Sequence, residues 1–360
     1  MLTLNSPKLQ ALAIPIGTGW LLGECMEARG KQDLWIRQKP EVLEVLRDQA
    51  TIQSVESSNR IEGVTVAANR LRPLVFGKAK PRDRPEEELA GYRAALAWIF
   101  SRQNRVAMNP AVILRLHALA QGGTHALASG GNRGDAGEWK KRDSEIIEIL
   151  PNGERRVRFV AVSAKKTPAA VDRLCHQYRD ATGNGHLPPL LSIATLIFDF
   201  LCIHPFRDGN GRVSRLTTSL VLQSHGFEVA RYVSLERLIE ESKDEYYRVL
   251  ELCSRGWHEG KNEIIPWWNY FLGLLRNAYK EFARQLEMAG ARPAKSELVR
   301  QTVLAQVERF TLADMAAQLP AVSPALIRKV LTELKQARRV RLAGLGRGAI
   351  WELATRKRIG

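Results

Sequence analysis

The sequence predicts a mainly α protein, with one β-hairpin near its middle and a small helix-rich module at its C-terminal end. Three observations predict it. Apolar residues recur at helical spacing through most of the 360 residues. Two β-prone runs flank Asn152-Gly153. Short helical patterns followed by two strand-like runs, Val340–Leu342 and Ala349–Leu353, close the chain. The length supports two or three domains. We expect an N-terminal helical region over 1–80, a core over 81–288 and a C-terminal module over 289–360.

Composition narrows the class. At 45% hydrophobic and 26% charged, the chain reads as soluble. Its first thirty residues lack a basic start followed by a compact apolar block, so no signal peptide is expected. Cys25, Cys175, Cys202 and Cys253 lie far apart without CxxC spacing. They read as free thiols of a reducing, cytoplasmic setting, not as a disulfide frame or a zinc site. Leu187–Phe206 is nearly all apolar, but Asp199 and the paired prolines make it a buried core helix rather than a membrane span. The net charge is +16, and residues 294–360 carry half of it, with 13 Lys/Arg against 5 Asp/Glu. Such asymmetry points to a nucleic-acid-facing module.

Taken in order, residues 1–39 show apolar patches interrupted by Gly17, Gly19, Gly23 and Gly30, and no element is predicted there. Trp20 and Trp35 read as packing residues. Val42, Leu43, Val45 and Leu46 mark a helix beyond Pro40. A second helical stretch ends at Ser58–Gly63, where Ser58 and Glu62 share a face and Gly63 suits a C-cap. Residues 73–85 read as a linker. Helices follow over 86–100 and 111–120, the second holding His117 as a packed histidine. Gly122–Gly137 is a glycine-rich loop. The hairpin spans 144–162, and further helices cover 171–178 and 190–202.

Residues 204–215 concentrate the chemistry. His204 can take a proton near neutral pH. Asp208 is a hard oxygen ligand of the kind Mg²⁺ prefers. Gly209, Asn210 and Gly211 tolerate positive φ and lead straight into a helix, so their amides can face an anion. Arg212 and Arg215, three apart, can both reach one polyphosphate. A histidine loop that merely caps a core helix would not need eight residues fixed together; chance agreement is on the order of 10⁻⁸. Beyond this stretch, a helix covers 212–224, and one opened by Ser234 carries Tyr246 and Tyr247. Trp267, Trp268, Tyr270 and Phe271 form an aromatic packing face. Leu286–Lys295 is the expected boundary, followed by helices over 296–310, 311–319 and 324–338.

His204–Arg215 resembles the signature of the Fic family, His-x-Phe-x-(Asp/Glu)-Gly-Asn-Gly-Arg-x-x-Arg, at every fixed position. The resemblance implies a Fic-type helical core with a β-hairpin flap and an adenylyltransferase that moves AMP from ATP to a protein hydroxyl. It implies His204 as base, Asp208 as the Mg²⁺ ligand, and Gly209, Asn210, Gly211, Arg212 and Arg215 as the phosphate site. Phe206 would anchor the loop in the core. Ser58-x-x-x-Glu62-Gly63 resembles the family's inhibitory motif, which implies that Glu62 pairs with Arg215. Tyr246 and Tyr247 resemble its pair beside base and ribose. The hairpin resembles the flap on which a target segment docks, although Gly137-Glu138-Trp139-Lys140 departs from the usual Gly-x-Tyr-Arg. Self-modification is one expected outcome.

The C-terminal pattern resembles a winged helix-turn-helix, with Ser323, Arg328, Lys329 and Lys335 on the recognition helix and Arg347 on the wing. Residues 311–353 are therefore expected to meet DNA. Two alternatives stand beside the transferase: a DNA-binding regulator whose core senses nucleotide, and a de-AMPylase in which Glu62 orients water.

Overall fold

The computed structural model describes residues 2–38, 40–101, 106–121, 135–149, 153–183, 185, 187–291, 295–306, 309–320, 322–343 and 349–354. The chain divides into two units, Met1–Ala283 and Arg284–Gly360. The first eighty residues belong to the larger unit.

The first unit contains α1 (Pro7–Gln10), α2 (Ile16–Gln38), α3 (Pro40–Ile61), α4 (Ala68–Val75), α5 (Arg84–Phe100) and α6 (Pro110–Ala120). The antiparallel hairpin β1 (Glu145–Ile149) and β2 (Arg155–Val160) follows, with a bulge between Ile146 and Ile147. Then come α7 (Thr167–Gly183), α8 (Pro189–Ile203), α9 (Asn210–Ser224), α10 (Leu235–Glu241), α11 (Lys243–Ser254) and α12 (Ile265–Ala291), of which residues 284–291 belong to the second unit. Local chemistry sets several starts: Asp83 and Asn109 accept from Glu86 N and Val112 N as N-caps, each ahead of a proline in the first turn.

Helix α8 is the axis of this unit, with 13 residues buried. Trp267 and Trp268 of α12 pack on it, donating to Ala194 O (2.6 Å) and Thr195 Oγ1 (2.9 Å). Each such buried aromatic or aliphatic side chain contributes about 1.5–3 kcal/mol. Asp199, also buried, accepts from Trp257 Nε1 (2.7 Å) and Leu4 N (3.1 Å), and burial raises its carboxyl above the usual range. No described helix is long and apolar enough to cross a membrane. The four cysteines are buried and free.

The N-terminal region corrects the sequence reading. Residues 16–38 form one helix despite four glycines, because tertiary bonds outweigh low propensity. Thr18 Oγ1 donates to Asn269 Oδ1 (2.7 Å), and Gln32 links Gly226 O (3.1 Å) to Tyr279 (2.9 Å). Trp20 is 72% exposed rather than packed, whereas Trp35 meets Phe282 edge-on. The two expected stretches beyond Pro40 are the single helix α3. Helix α4 absorbs Pro73 in its last turn, so the linker starts later. The helix opened by Ser234 breaks at Ser242, which places Tyr246 and Tyr247 on α11.

The second unit holds α13 (Lys295–Leu304), β3 (Phe310–Thr311), α14 (Leu312–Gln318), α15 (Pro324–Gln336), β4 (Val340–Leu342) and β5 (Ile350–Leu353). Its core includes Val299, Val303, Phe310, Met315, Ile327, Leu331 and Val340. A capping box between Thr311 and Asp314 starts α14, and Ser323 caps α15. The expected helix over 296–310 ends at Leu304, and Phe310–Thr311 pairs with Ile350–Trp351. The hairpin is thus part of a three-stranded sheet, ordered β3-β5-β4. The Gly344–Gly348 turn, Arg347, the 150–152 turn and most of the Gly122–Gly137 loop lie outside the described residues.

Candidate active site

The C-terminus of α8 delivers His204 in the left-handed region (φ 52), donating its N–H to Phe200 O at 3.0 Å. That conformation is uncommon for a residue other than glycine and is concentrated at functional sites. The following loop is clamped from within: Asn210 Oδ1 accepts from Phe206 N (2.9 Å) and Asn210 Nδ2 donates to Phe206 O (2.8 Å). The Asn210 side chain is spent on the loop, leaving only its amide for a ligand. Phe206 is fully buried and stacks on His117 at 3.8 Å and Trp139 at 5.3 Å. Gly137 N donates to His117 Nδ1 (3.0 Å), so Nε2 carries the proton and donates to Asp208 O (3.1 Å). Burial lowers the His117 pKa to about 4, in keeping with this neutral form. Helix α9 then opens at Asn210 behind Gly209 (φ 79), and the first-turn amides lack intrahelical acceptors.

Below this turn lies a cavity of about 690 Å³, lined by Glu62, Phe159, His204, Gly211, Arg215, Tyr246 and Tyr247 among others. The volume suits a nucleotide. Arg215 donates from Nε to Ser58 Oγ (2.9 Å), and from Nη2 to Ser58 O (2.9 Å) and Glu62 Oε1 (2.7 Å). Glu62 stands just past α3, whose end closes with Gly63 (φ 79). Burial pulls the Arg215 pKa down, but the Glu62 charge, Tyr92, Tyr246 and the hydrogen bond to Glu62 together outweigh it and the net shift is upward. Tyr246 and Tyr247 meet edge-on at 5.2 Å. From the hairpin, Arg158 lies over the Tyr247 ring and donates to Tyr247 O. Phe159 stacks on His258 at 5.3 Å.

The two motif arginines part company. Arg212 is 1% exposed and binds Glu88 Oε2 at 2.8 Å, itself buried on α5, while its Nη2 reaches Asp208 Oδ2 at 3.5 Å. It does not line the cavity that Arg215 lines. Asp208 is more than half exposed and is approached by Arg84 at 3.6 Å.

Lys140 is a participant whose place in the site the sequence did not reveal. Its Nζ donates to Ile203 O (3.2 Å) and Ser144 Oγ (3.1 Å), and its N–H donates to Pro205 O (2.9 Å). One residue thus ties the His204 loop to the root of the hairpin. Burial lowers its own pKa to about 8. Burial, then the Lys140 charge, lowers His204 to about 4, against the Leu201 carbonyl, Glu62 and Asp208.

Residues 107–222 match the model of the Fic/DOC family. A Fido domain-containing protein of Dictyostelium discoideum is 35% identical over 108 residues, 30% of this chain and 69% of that protein. The chain belongs to the Fic/Fido family. A protein adenylyltransferase Fic of Nematostella vectensis is 23% identical to this Fic protein over 218 residues, covering 58% of this chain but only 44% of that one. A Fic family protein from Desulfovibrio desulfuricans shares the fold, with TM-score 0.60 at 19% identity over 95% of this chain and 97% of that chain. Members of this family are typically transferases. Glu88 and Lys140 carried no signal beyond a charge on a helix and a departure from a motif; only the fold brings them to the site.

Proposed function

We propose that this Fic protein is an Mg-ATP-dependent adenylyltransferase, held in check by Glu62, that moves AMP onto a hydroxyl side chain of a protein. One observation carries the reading: Glu62 occupies Arg215 inside the cavity that His204, Tyr246 and Tyr247 also line. A carboxylate there competes with the outer phosphates of ATP for the same guanidinium. His204, neutral at physiological pH, takes the proton of the target hydroxyl, whose oxygen bonds to the α-phosphorus as the bond to pyrophosphate breaks. The first-turn amides of Gly211 and its neighbours and Arg215 stabilise the phosphates, while Tyr246 and Tyr247 flank base and ribose. Arg212 steadies Asp208 and would reach the leaving group only by sharing its bond to Glu88.

Asp208 offers one half-exposed carboxylate, and no cluster of three metal-ligating side chains exists among the described residues. That donor set fits an ion arriving with the nucleotide better than a resident one. Mg²⁺ held by Asp208 would neutralise phosphate charge. The target segment would lie along the 144–162 hairpin by strand addition. Mass spectrometry of the Glu62→Gly protein incubated with Mg-ATP tests the reading. We expect an added AMP on itself or a partner, weak labelling in wild type, and none in His204→Ala. Inert Glu62→Gly protein would sink the reading.

DNA contact by the second unit is a compatible reading. Its topology suits a winged helix-turn-helix, and Arg328, Lys329 and Lys335 are exposed on α15, whose Glu333 is tied to Arg300 at 3.1 Å. A mobility shift that persists in His204→Ala and weakens with salt would support it.

A further inference from the structure

Two carboxylates compete for the same two guanidinium groups, and the buried one wins. Glu88 on α5 is 2% exposed and divides its oxygens. Its Oε2 accepts from Arg212 Nη1 at 2.8 Å and its Oε1 from Arg84 Nε at 2.7 Å. The second carboxylate is Asp208. Its Oδ1 accepts from Gly209 N at 2.7 Å, while its Oδ2 lies 3.5 Å from Arg212 Nη2 and 3.6 Å from Arg84 Nη2. Those separations exceed the ~2.7–2.9 Å of a close charge-assisted bond. Arg212 has donor capacity to spare, because its buried Nε has no partner among the described residues. A two-pronged contact with Asp208 would satisfy more of its donors, so the bond to Glu88 is what holds it back.

We propose that Glu88 is a positioning residue for Asp208: by engaging Arg212 and Arg84 it keeps both from closing on Oδ2, which stays open to a divalent cation. The four side chains balance, two cations against two carboxylates. Without the Glu88 charge, Asp208 alone would face both guanidinium groups. They would close on its free oxygen, and the local excess of positive charge would repel an incoming dication. Mg²⁺ needs an anionic oxygen at about 2.0–2.1 Å, an approach that a closed guanidinium occupies. Burial makes Glu88 effective, since its pair with Arg212, itself 1% exposed, is little screened by solvent ions. The inference rests on the reading of Asp208 as the Mg²⁺ ligand and not on the transfer of AMP.

The test uses full-length Glu62→Gly protein and calorimetry with ATP in Mg²⁺ and in EDTA, and reads the ratio of the two affinities. In Glu88→Gln that ratio should fall about tenfold, the size of one charge-assisted contact. Affinity for metal-free ATP should hold or rise, because the site has gained positive charge. Adding Arg84→Ala to Glu88→Gln removes one of the two closing groups and should restore the ratio about threefold. A packing role for Glu88 would instead weaken both affinities together, and Arg84→Ala would restore nothing; either result would overturn the proposal. Thermal unfolding checks that each variant is folded, since a buried cation left without its partner is costly. If Glu88→Gln does not fold, Glu88→Asp carries the test: it keeps the charge but is too short to hold both arginines. Its ratio should fall about threefold, and an unchanged ratio would overturn the proposal. Asp208→Ala keeps the two readings apart and should lower the ratio at least as far as Glu88→Gln. An unchanged ratio there would end the Mg²⁺ reading and the proposal with it. A lowered one, with Glu88→Gln unaffected, would end the proposal alone.

Discussion

Glu62 Oε1 accepts from Arg215 Nη2 at 2.7 Å and fills the space above Gly211 that a Cβ would need. Any side chain at 211 would collide with that oxygen and crowd Arg215 Nη1. Gly211→Ala should therefore destabilise the inhibited wild type by about 1–3 kcal/mol, the usual cost of overpacking. In the Glu62→Gly background the obstacle is gone and the cost should drop by at least half. A double-mutant cycle on denaturant midpoints checks this, and additive effects would refute the close packing of Glu62 on Gly211.

Two buried imidazoles predict the acid stability. His117 and His204 have pKa values of about 4 in the folded state, lowered first by burial, against about 6.5 unfolded. Between those values the unfolded chain binds protons that the native one refuses. Their contribution is complete above pH 6.5 and is lost as pH falls toward 4, by at most about 1.4 kcal/mol per pH unit for each. Asp199, raised by burial, acts in the opposite sense just above pH 3.8. Denaturant midpoints at pH 7, 5.5 and 4.5 should fall in that order, and a His117→Asn variant should show a shallower decline. A flat profile would mean that neither ring is buried neutral.

Much of the site was legible because its ligands are contiguous. Twelve residues fix His204, Asp208 and the glycine turn, and the structure keeps them in one loop. Glu62 was legible too, since its spacing from Ser58 and the following Gly63 put it at a helix end. What stayed hidden depends on long-range packing. Glu88 and Glu236 look like ordinary helix charges, yet lie at 2% exposure beside Arg212 and Tyr92. Residues 16–38 read poorly because four glycines mask a helix that tertiary bonds sustain. Phe310 ended up in a strand, since its sheet partner, Trp351, is some forty residues away.

For the second unit, charge placement gives a quantitative expectation. Arg328 and Lys329 are adjacent and exposed on α15. If each neutralises one phosphate, Arg328→Ala with Lys329→Ala should reduce the slope of log K against log salt by about two. Fluorescence anisotropy with duplex DNA across salt concentrations measures that slope. An unchanged slope would move the contact away from α15, and absence of any shift would favour a protein-docking role.

The last expectation concerns Lys140 and separates its charge from its hydrogen bonds. Removing the ammonium by Lys140→Met takes a cation away from His204, so the imidazole pKa must rise toward its ordinary value. In the Glu62→Gly background, where the Glu62 charge no longer raises the imidazole, the acid limb of single-turnover labelling should lie at or below about pH 4. In Lys140→Met it should move up by about 1 pH unit. Ile203 O and Ser144 Oγ also lose their donor, at a cost of about 1–3 kcal/mol in stability. Lys140→Arg keeps the charge, so its acid limb should stay in place even if the tie to the hairpin is strained. A limb that moves equally in both variants would show that Lys140 acts by packing alone.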